Sequence, residues 1–173
     1  MPVTIIRPDS TILQAGWDSS TIHLVIGDSD NSTSAIQDNE ICNWRGTLSN
    51  ITIGGDITIQ EIELAIHAVA TRAVSTTIAA TIEHPTALDY PTQVLSFTNE
   101  ASIRTGDVFN KTGSGATITR EYIDELIVQL VPAAAGVTIF EAWLNVTYTA
   151  ASTTTGLTLT TGKIILSQGK ITI

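Results

Sequence analysis

Positive charge is scarce in this chain. Its 173 residues include 8 Lys and Arg against 17 Asp and Glu, for a net charge of -9. Phosphate repels such a chain, which argues against nucleic acid and anionic membrane surfaces as partners. Charge of either sign is sparse, at 14% of residues, where roughly a quarter is usual. Cysteine is nearly absent. Cys42 stands alone, so an intrachain disulfide and a multi-cysteine metal site are excluded. Within EICNW it reads as a small buried hydrophobe. Long apolar runs are missing: nothing approaches the roughly 18 residues of a membrane helix. The opening MPVTIIRPDS lacks the basic start and apolar core of a secretory signal. These absences predict a soluble, non-secreted protein. Hydrophobic residues make up 43%, too many for a disordered chain of low charge. The length suits one domain with a two-layer core.

What is present is a threonine–isoleucine weave. ITIGGDITIQEIELAI at 51–66, ATIEH at 80–84, GATITR at 115–120, FEAWLNVTYT at 140–149 and GLTLTTGKIILSQGKITI at 156–173 share it. A β-branched apolar residue alternates with a small polar one, the signature of strands with one buried face. The polar partner is mostly Thr. Hydroxyls suit a face packed on other protein as well as one in water, and few lysines guard the strand edges.

Along the chain, 1–10 reads as an extended lead-in broken by Pro2 and Pro8, and 20–28 as a strand. A polar loop fills 28–40, and 41–53 reads as one or two strands split near Gly46. Segment 57–74 is the clearest strand. Ile62, Leu64, Ile66, Ala68 and Ala70 share one face, and Glu61, Glu63, His67 and Thr71 the other. Ile57 and Ile59 have the opposite parity, so the phase slips near Gln60–Glu61, as a β-bulge produces. A helix over 60–72 fits worse, because apolar residues at spacing two make a poor helical stripe. Further strands are predicted at 74–83, 93–98, 125–132 and 137–150. Between them lie a proline-bearing loop at 84–92 and a long connection at 99–115, and 116–122 is extended or leads into a turn. Segment 137–150 carries large apolar groups on both faces, which predicts a central strand. After 149–156, a small polar linker, three short strands follow, split at Thr161–Gly162 and Gln168–Gly169. The fold class is all-β: an antiparallel, jelly-roll-like β-sandwich over 1–149 with a C-terminal β-hairpin or arm over 150–173. A small ribbon is marginal alone, so the arm is expected to dock on its own core or, preferably, on a neighbouring subunit.

Chemistry is thinly signalled. Asp28, Asp30, Asn31, Asp38 and Glu40 crowd one loop, a set of hard oxygen ligands that suits Ca²⁺. The EF-hand spacing is absent, and a solvated turn-rich loop explains the same residues. His23, His67 and His84 are scattered, with no zinc spacing. There is no G-x-S-x-G elbow, and Gly113–Ser114–Gly115 lacks the Lys-Ser/Thr that meets phosphate. A glycosidase-type carboxylate pair stays open from sequence alone; Glu61, Glu63 and Glu141 sit on strands, but Glu61 and Glu63 read more simply as surface charges. No catalytic residue and no cofactor is assigned, and the chain is not expected to be an enzyme. Sugar binding is a serious rival to a purely structural role. It needs exposed aromatics, and aromatics are only 5%. Trp17 and Trp44 are expected to plug the ends of the sandwich, and Trp143 and Tyr148 to lie in a core strand.

Several landmarks come in a familiar order: Gly16–Trp17, Ile59 with Ile62–Glu63–Leu64, Ile123–Asp124–Glu125–Leu126, and Asn145–Val146–Thr147–Tyr148. Over residues 5–149 this pattern resembles a β-sandwich of tailed-phage virion proteins, although the tryptophan expected before Ile123–Asp124 is missing. The resemblance implies a virion component, of which a capsid decoration (cement) protein is the preferred form. Such a protein is made in the host cytoplasm and sits on the capsid surface. Its partners are the major capsid protein and other copies of itself, as a trimer. The contact residues expected under this reading are Pro2, Ile5 and Arg7 in the lead-in, and Leu157, Leu159, Ile164, Ile165 and Ile171 in the arm. The alternative is a tail-fibre or carbohydrate/receptor-binding β-sandwich module.

Overall fold

The computed structural model describes residues 1–17, 22–29, 33–36, 43–72, 75–151, 158–160 and 163–165. Two five-stranded antiparallel sheets face each other. The first contains β1 (Val3–Ile6), β10 (Val137–Ala150), β5 (Ile57–Ala70) and β8 (Ser102–Phe109), in that order. Its short β3 (Ala35–Ile36) also pairs with β10. The second sheet runs β2 (Leu13–Ala15), β4 (Asn43–Thr47), β9 (Ile127–Pro132), β6 (Ser75–Glu83) and β7 (Gln93–Thr98). The N-terminal segment belongs to both. It leaves β1, bridges Pro8 to Leu48, and enters the second sheet at β2.

The inner faces follow the alternation. Ile62, Leu64 and Ile66 of β5, Ala142, Leu144 and Val146 of β10, and Ile78, Ala80 and Ile82 of β6 all join one buried cluster. Each fully buried Ile or Leu contributes about 1.5–3 kcal/mol of apolar transfer. The phase slip expected at Gln60 is real. β10 steps from Thr147 to Tyr148 while its partner steps from Glu61 to Ile59, leaving Gln60 as the extra residue of a bulge. Strand β10 is central, as predicted, and Val137, Thr138 and Ile139 are all buried.

The structure overturns three expectations and narrows two others, the strand count over 41–53 and the turn entered at 116–122. Segment 20–28 is not a strand: Ile22–Ile26 forms a one-turn helix, α1. Ile22 and Ile26 lie four apart on one helical face and both enter the core, so tertiary burial outweighs β propensity. Strand β4 is not split at Gly46. The glycine is needed because a Cβ there would lie 2.4 Å from the Trp44 ring and 2.2 Å from the Ser10 carbonyl. The connection 99–115 contains β8. None of its residues is buried on this edge, so no buried alternation marks it. Residues 120–124 form a second short helix, α2 (Arg120–Asp124), capped by the Thr119 hydroxyl, which accepts from the Tyr122 amide. Finally, Trp143 does not face the core. β10 carries an irregularity between Ile139 and Glu141, which leaves Phe140 as the unpaired residue. Beyond it Ala142, Leu144 and Val146 point inward, and Glu141, Trp143 and Asn145 point out.

The sheets are joined at one edge by Gln93, whose side-chain oxygen accepts from the Asp107 amide at 2.9 Å. A Cβ at Gly106 would occupy the place of that oxygen. In the tail, β11 (Thr158–Thr160) and β12 (Lys163–Ile165) pair antiparallel, with Thr158 opposite Ile165. The third expected tail strand lies outside the described residues.

Candidate functional site

The outer face of the first sheet gathers the side chains with the most varied chemistry. Strand pairing sets them in rows. Ile5 lies beside Asn145, Asn145 beside Glu63, and Glu63 beside Val108. In the next row toward Arg7, Trp143 lies beside Ala65 and Ala65 beside Thr105. Ala65 faces outward by alternation yet is fully buried, so the larger side chains around it close over it.

Hydrogen bonds fix these groups. The Trp143 indole N–H donates to Asn145 Oδ1 at 3.0 Å. Asn145 Nδ2 donates in turn to Glu63 Oε2 at 3.1 Å. These two bonds set which way the Asn145 amide points. Arg7 Nη1 donates to Glu141 Oε2 at 3.0 Å, and the pair is largely shielded, with 22% and 10% of each side chain exposed. The same guanidinium lies 5.7 Å from the centre of the Trp143 ring, a cation–π contact of roughly 0.5–1 kcal/mol. On the other side of the face, His67 packs on Phe140 with ring centres 4.9 Å apart. The result is a partly exposed indole between a guanidinium, an amide and two carboxylates.

The other sequence candidates are dispersed. Trp44 is fully buried and Trp17 nearly so; the Trp44 indole donates to Thr11 Oγ1 at 3.1 Å. His23 meets the Thr11 hydroxyl at 2.9 Å. Asp28 accepts from Thr33 Oγ1 at 2.6 Å, while Asp30, Asp38, Glu40 and Cys42 lie outside the described residues. Among the described residues no cluster of three or more metal-ligating side chains occurs. Ser114 sits in a turn, its hydroxyl 3.0 Å from that of Thr112. Of the expected contact residues, Pro2 is exposed and its carbonyl accepts from the Tyr148 amide. Ile5 is 50% exposed on the sheet edge, whereas Arg7 is committed to Glu141 and Trp143. Leu159, Ile164 and Ile165 lie in the tail hairpin, and Leu157 and Ile171 lie outside the described residues.

One cluster escaped the sequence reading. The His84 side chain is shielded, at 6% exposure, and its Nε2 lies 3.3 Å from Glu125 Oε2. Its Nδ1 accepts from the Thr86 and Ala87 amides, so Nε2 carries the ring proton toward the carboxylate. His84 stacks on Tyr122 at 4.3 Å, and Tyr90 tilts against Phe109 at 4.4 Å. The Tyr90 and Tyr122 hydroxyls are both buried and neighbour each other without a well-formed hydrogen bond to any group. Burial first, and the neighbouring Tyr122 second, push the Tyr90 phenol well above its ordinary range. Histidine scattered through a sequence gives no hint of such a cluster, because a loop, a strand end and a helix have to meet to form it.

No known family profile matches the chain, and no curated protein matches it. Two solved structures follow a similar course. One is the C-terminal CBM6 of LamC, a marine laminarinase from Zobellia galactanivorans. It shares 9% identity at a TM-score of 0.49, covering 84% of this chain and 99% of that one. The other is the carbohydrate binding module CBM6cm-2 from Cellvibrio mixtus lichenase 5A, in complex with cellotriose. It shares 10% identity at a TM-score of 0.44, covering 86% and 99%.

Proposed function

We propose that this chain is a non-catalytic, glycan-binding β-sandwich module whose ligand lies across the outer face of the first sheet, at Trp143. The carrying observation is the arrangement of Trp143 with Asn145, Glu63, Arg7 and Glu141. A sugar ring has an apolar C–H face and a rim of hydroxyls that both donate and accept. An indole suits the C–H face. A carboxylate only accepts, a guanidinium only donates, and an amide does both, so the set beside Trp143 matches a hydroxyl rim. Glu61, Glu63 and Glu141 outnumber Arg7 here, and Arg7 is already paired. The favoured ligand is therefore a neutral glycan, since uronates and sulfated sugars meet net repulsion. A glycan array probed with the intact chain tests this: enrichment of neutral glycans supports it, and an array without hits, or with acidic hits only, contradicts it.

A second reading, assembly as a virion decoration protein, draws on a different observation. Edge strand β1 exposes Val3 at 56% and Ile5 at 50%, with few charges to deter strand addition. It predicts a trimer in solution and co-sedimentation with phage heads. A monomer at micromolar concentration that does not sediment with particles counts against it.

A further inference from the structure

The end of the sandwich beside this face holds three open depressions of about 540, 360 and 250 Å³. They share walls. The first and second have Thr58, Ile59 and Thr117 in common, and the second and third share Asn110 and Lys111. Adjoining through these residues, they line up as a furrow of three segments from the turn at Gly55–Asp56 to Tyr90 and Phe109. Its shape is held from below. Ile59 and Ile118 are buried in the core, and Arg120 donates to the Ile53 and Gly55 carbonyls at 2.6 and 3.1 Å. Gln60, the bulged residue, donates to Thr149 Oγ1 at 3.2 Å.

The lining is polar without being strongly charged in one sense. Threonine hydroxyls at 58, 117 and 119 and the amides of Gln60 and Asn110 alternate with acids and with Lys111. Glu61 belongs to both regions: it lines the furrow and stands on the outer face, opposite Thr147. From Glu61 to Ala65, the partner of Trp143, is four residues along β5, or about 13 Å at strand rise. That exceeds the reach of a single sugar ring.

We infer that the furrow continues the Trp143 platform, so that the module binds an extended internal stretch of a neutral polysaccharide. This rests on the glycan-binding reading above. One end of the ligand segment stacks at Trp143, and the rest passes Glu61 into the furrow at Asn110 and Lys111.

The test is calorimetry with neutral gluco-, xylo- and manno-oligosaccharides of increasing length, from disaccharide to hexasaccharide. Three proteins are compared: the wild type, Trp143→Ala, and the double variant Asn110→Ala/Lys111→Ala, whose residues are exposed. Melting curves confirm that each is folded. The wild type is expected to bind the hexamer at least roughly tenfold more tightly than the dimer. The furrow variant should lose that gain and keep dimer binding; Trp143→Ala should lose both. Equal affinity for dimer and hexamer overturns the furrow proposal alone, as does a furrow variant with unchanged hexamer affinity. Hexamer binding that survives Trp143→Ala overturns the continuity and the platform together. Failure of the wild type to bind any oligomer removes the glycan reading itself.

Discussion

The Trp143 indole donates to the side-chain oxygen of Asn145, two residues further along the same strand. Residues two apart on a strand share a face, and because Ala142, Leu144 and Val146 between and beside them are buried, that face is the outer one. Asn145→Asp keeps an acceptor for the indole but sets a carboxylate against Glu63, to which Asn145 now donates. We expect a loss of about 1 kcal/mol near neutral pH. The loss should shrink as pH falls toward about 4, where carboxylates protonate. Denaturant melts at two pH values measure it, and a loss that is independent of pH counts against the geometry.

Arg7 and Glu141 tie the edge strand to the centre of the sheet. Arg7→Met leaves Glu141, largely buried, without its charged partner, and should cost about 1–3 kcal/mol. Adding Glu141→Met should recover part of that loss, because two apolar side chains desolvate without penalty. A double-mutant cycle by chemical denaturation gives the coupling; strictly additive losses would show that the pair is not coupled.

Gly46 gives way to the Trp44 indole. Gly46→Ala forces the ring or the Ser10 carbonyl to move, and overpacking of this kind costs about 1–3 kcal/mol. The melting temperature should fall, whereas Gly54→Ala, with open space around its Cβ position, should change it far less.

Tyr90 makes the fold sensitive to alkali. Its phenol is held protonated by burial and by Tyr122. A group whose folded value is raised contributes stability that is complete below the unfolded value of about 10 and is lost as pH climbs above it. Tyr90→Phe removes a buried hydroxyl that makes no well-formed hydrogen bond, so it should be close to neutral or stabilising near pH 7. Above pH 10 it should melt at a higher temperature than the wild type. Parallel curves for the two proteins from pH 7 to 11 would contradict this.

The sandwich was legible because long stretches of its strands alternate, and even the Gln60 bulge shows as a change of parity between Ile59 and Ile62. The edge strand β8 was not legible. Ser102–Phe109 buries almost nothing, so no burial pattern was imposed on its sequence. Trp143 was misplaced for a related reason. One extra residue at Phe140 moves every later side chain of β10 to the opposite face from that implied by Val137 and Ile139. Both parities there contain bulky apolar residues, so the pattern offered no means of locating the slip. The partners from other strands were beyond reach in any case, since Glu63 meets Asn145, and Arg7 meets Glu141, only through strand pairing across 82 and 134 residues.

In the glycan-binding module proposed above, Trp143 on the outer face contacts a neutral glycan. Trp17 and Trp44 are buried, so Trp143 dominates whatever tryptophan fluorescence responds to an added ligand. The direct measurement is a fluorescence titration of wild type and Trp143→Phe with a neutral hexasaccharide identified on the array, repeated by calorimetry. A saturable change is expected in the wild type, and in the variant no such change, with affinity weaker by at least about tenfold. Equal calorimetric affinity in the two proteins would contradict it.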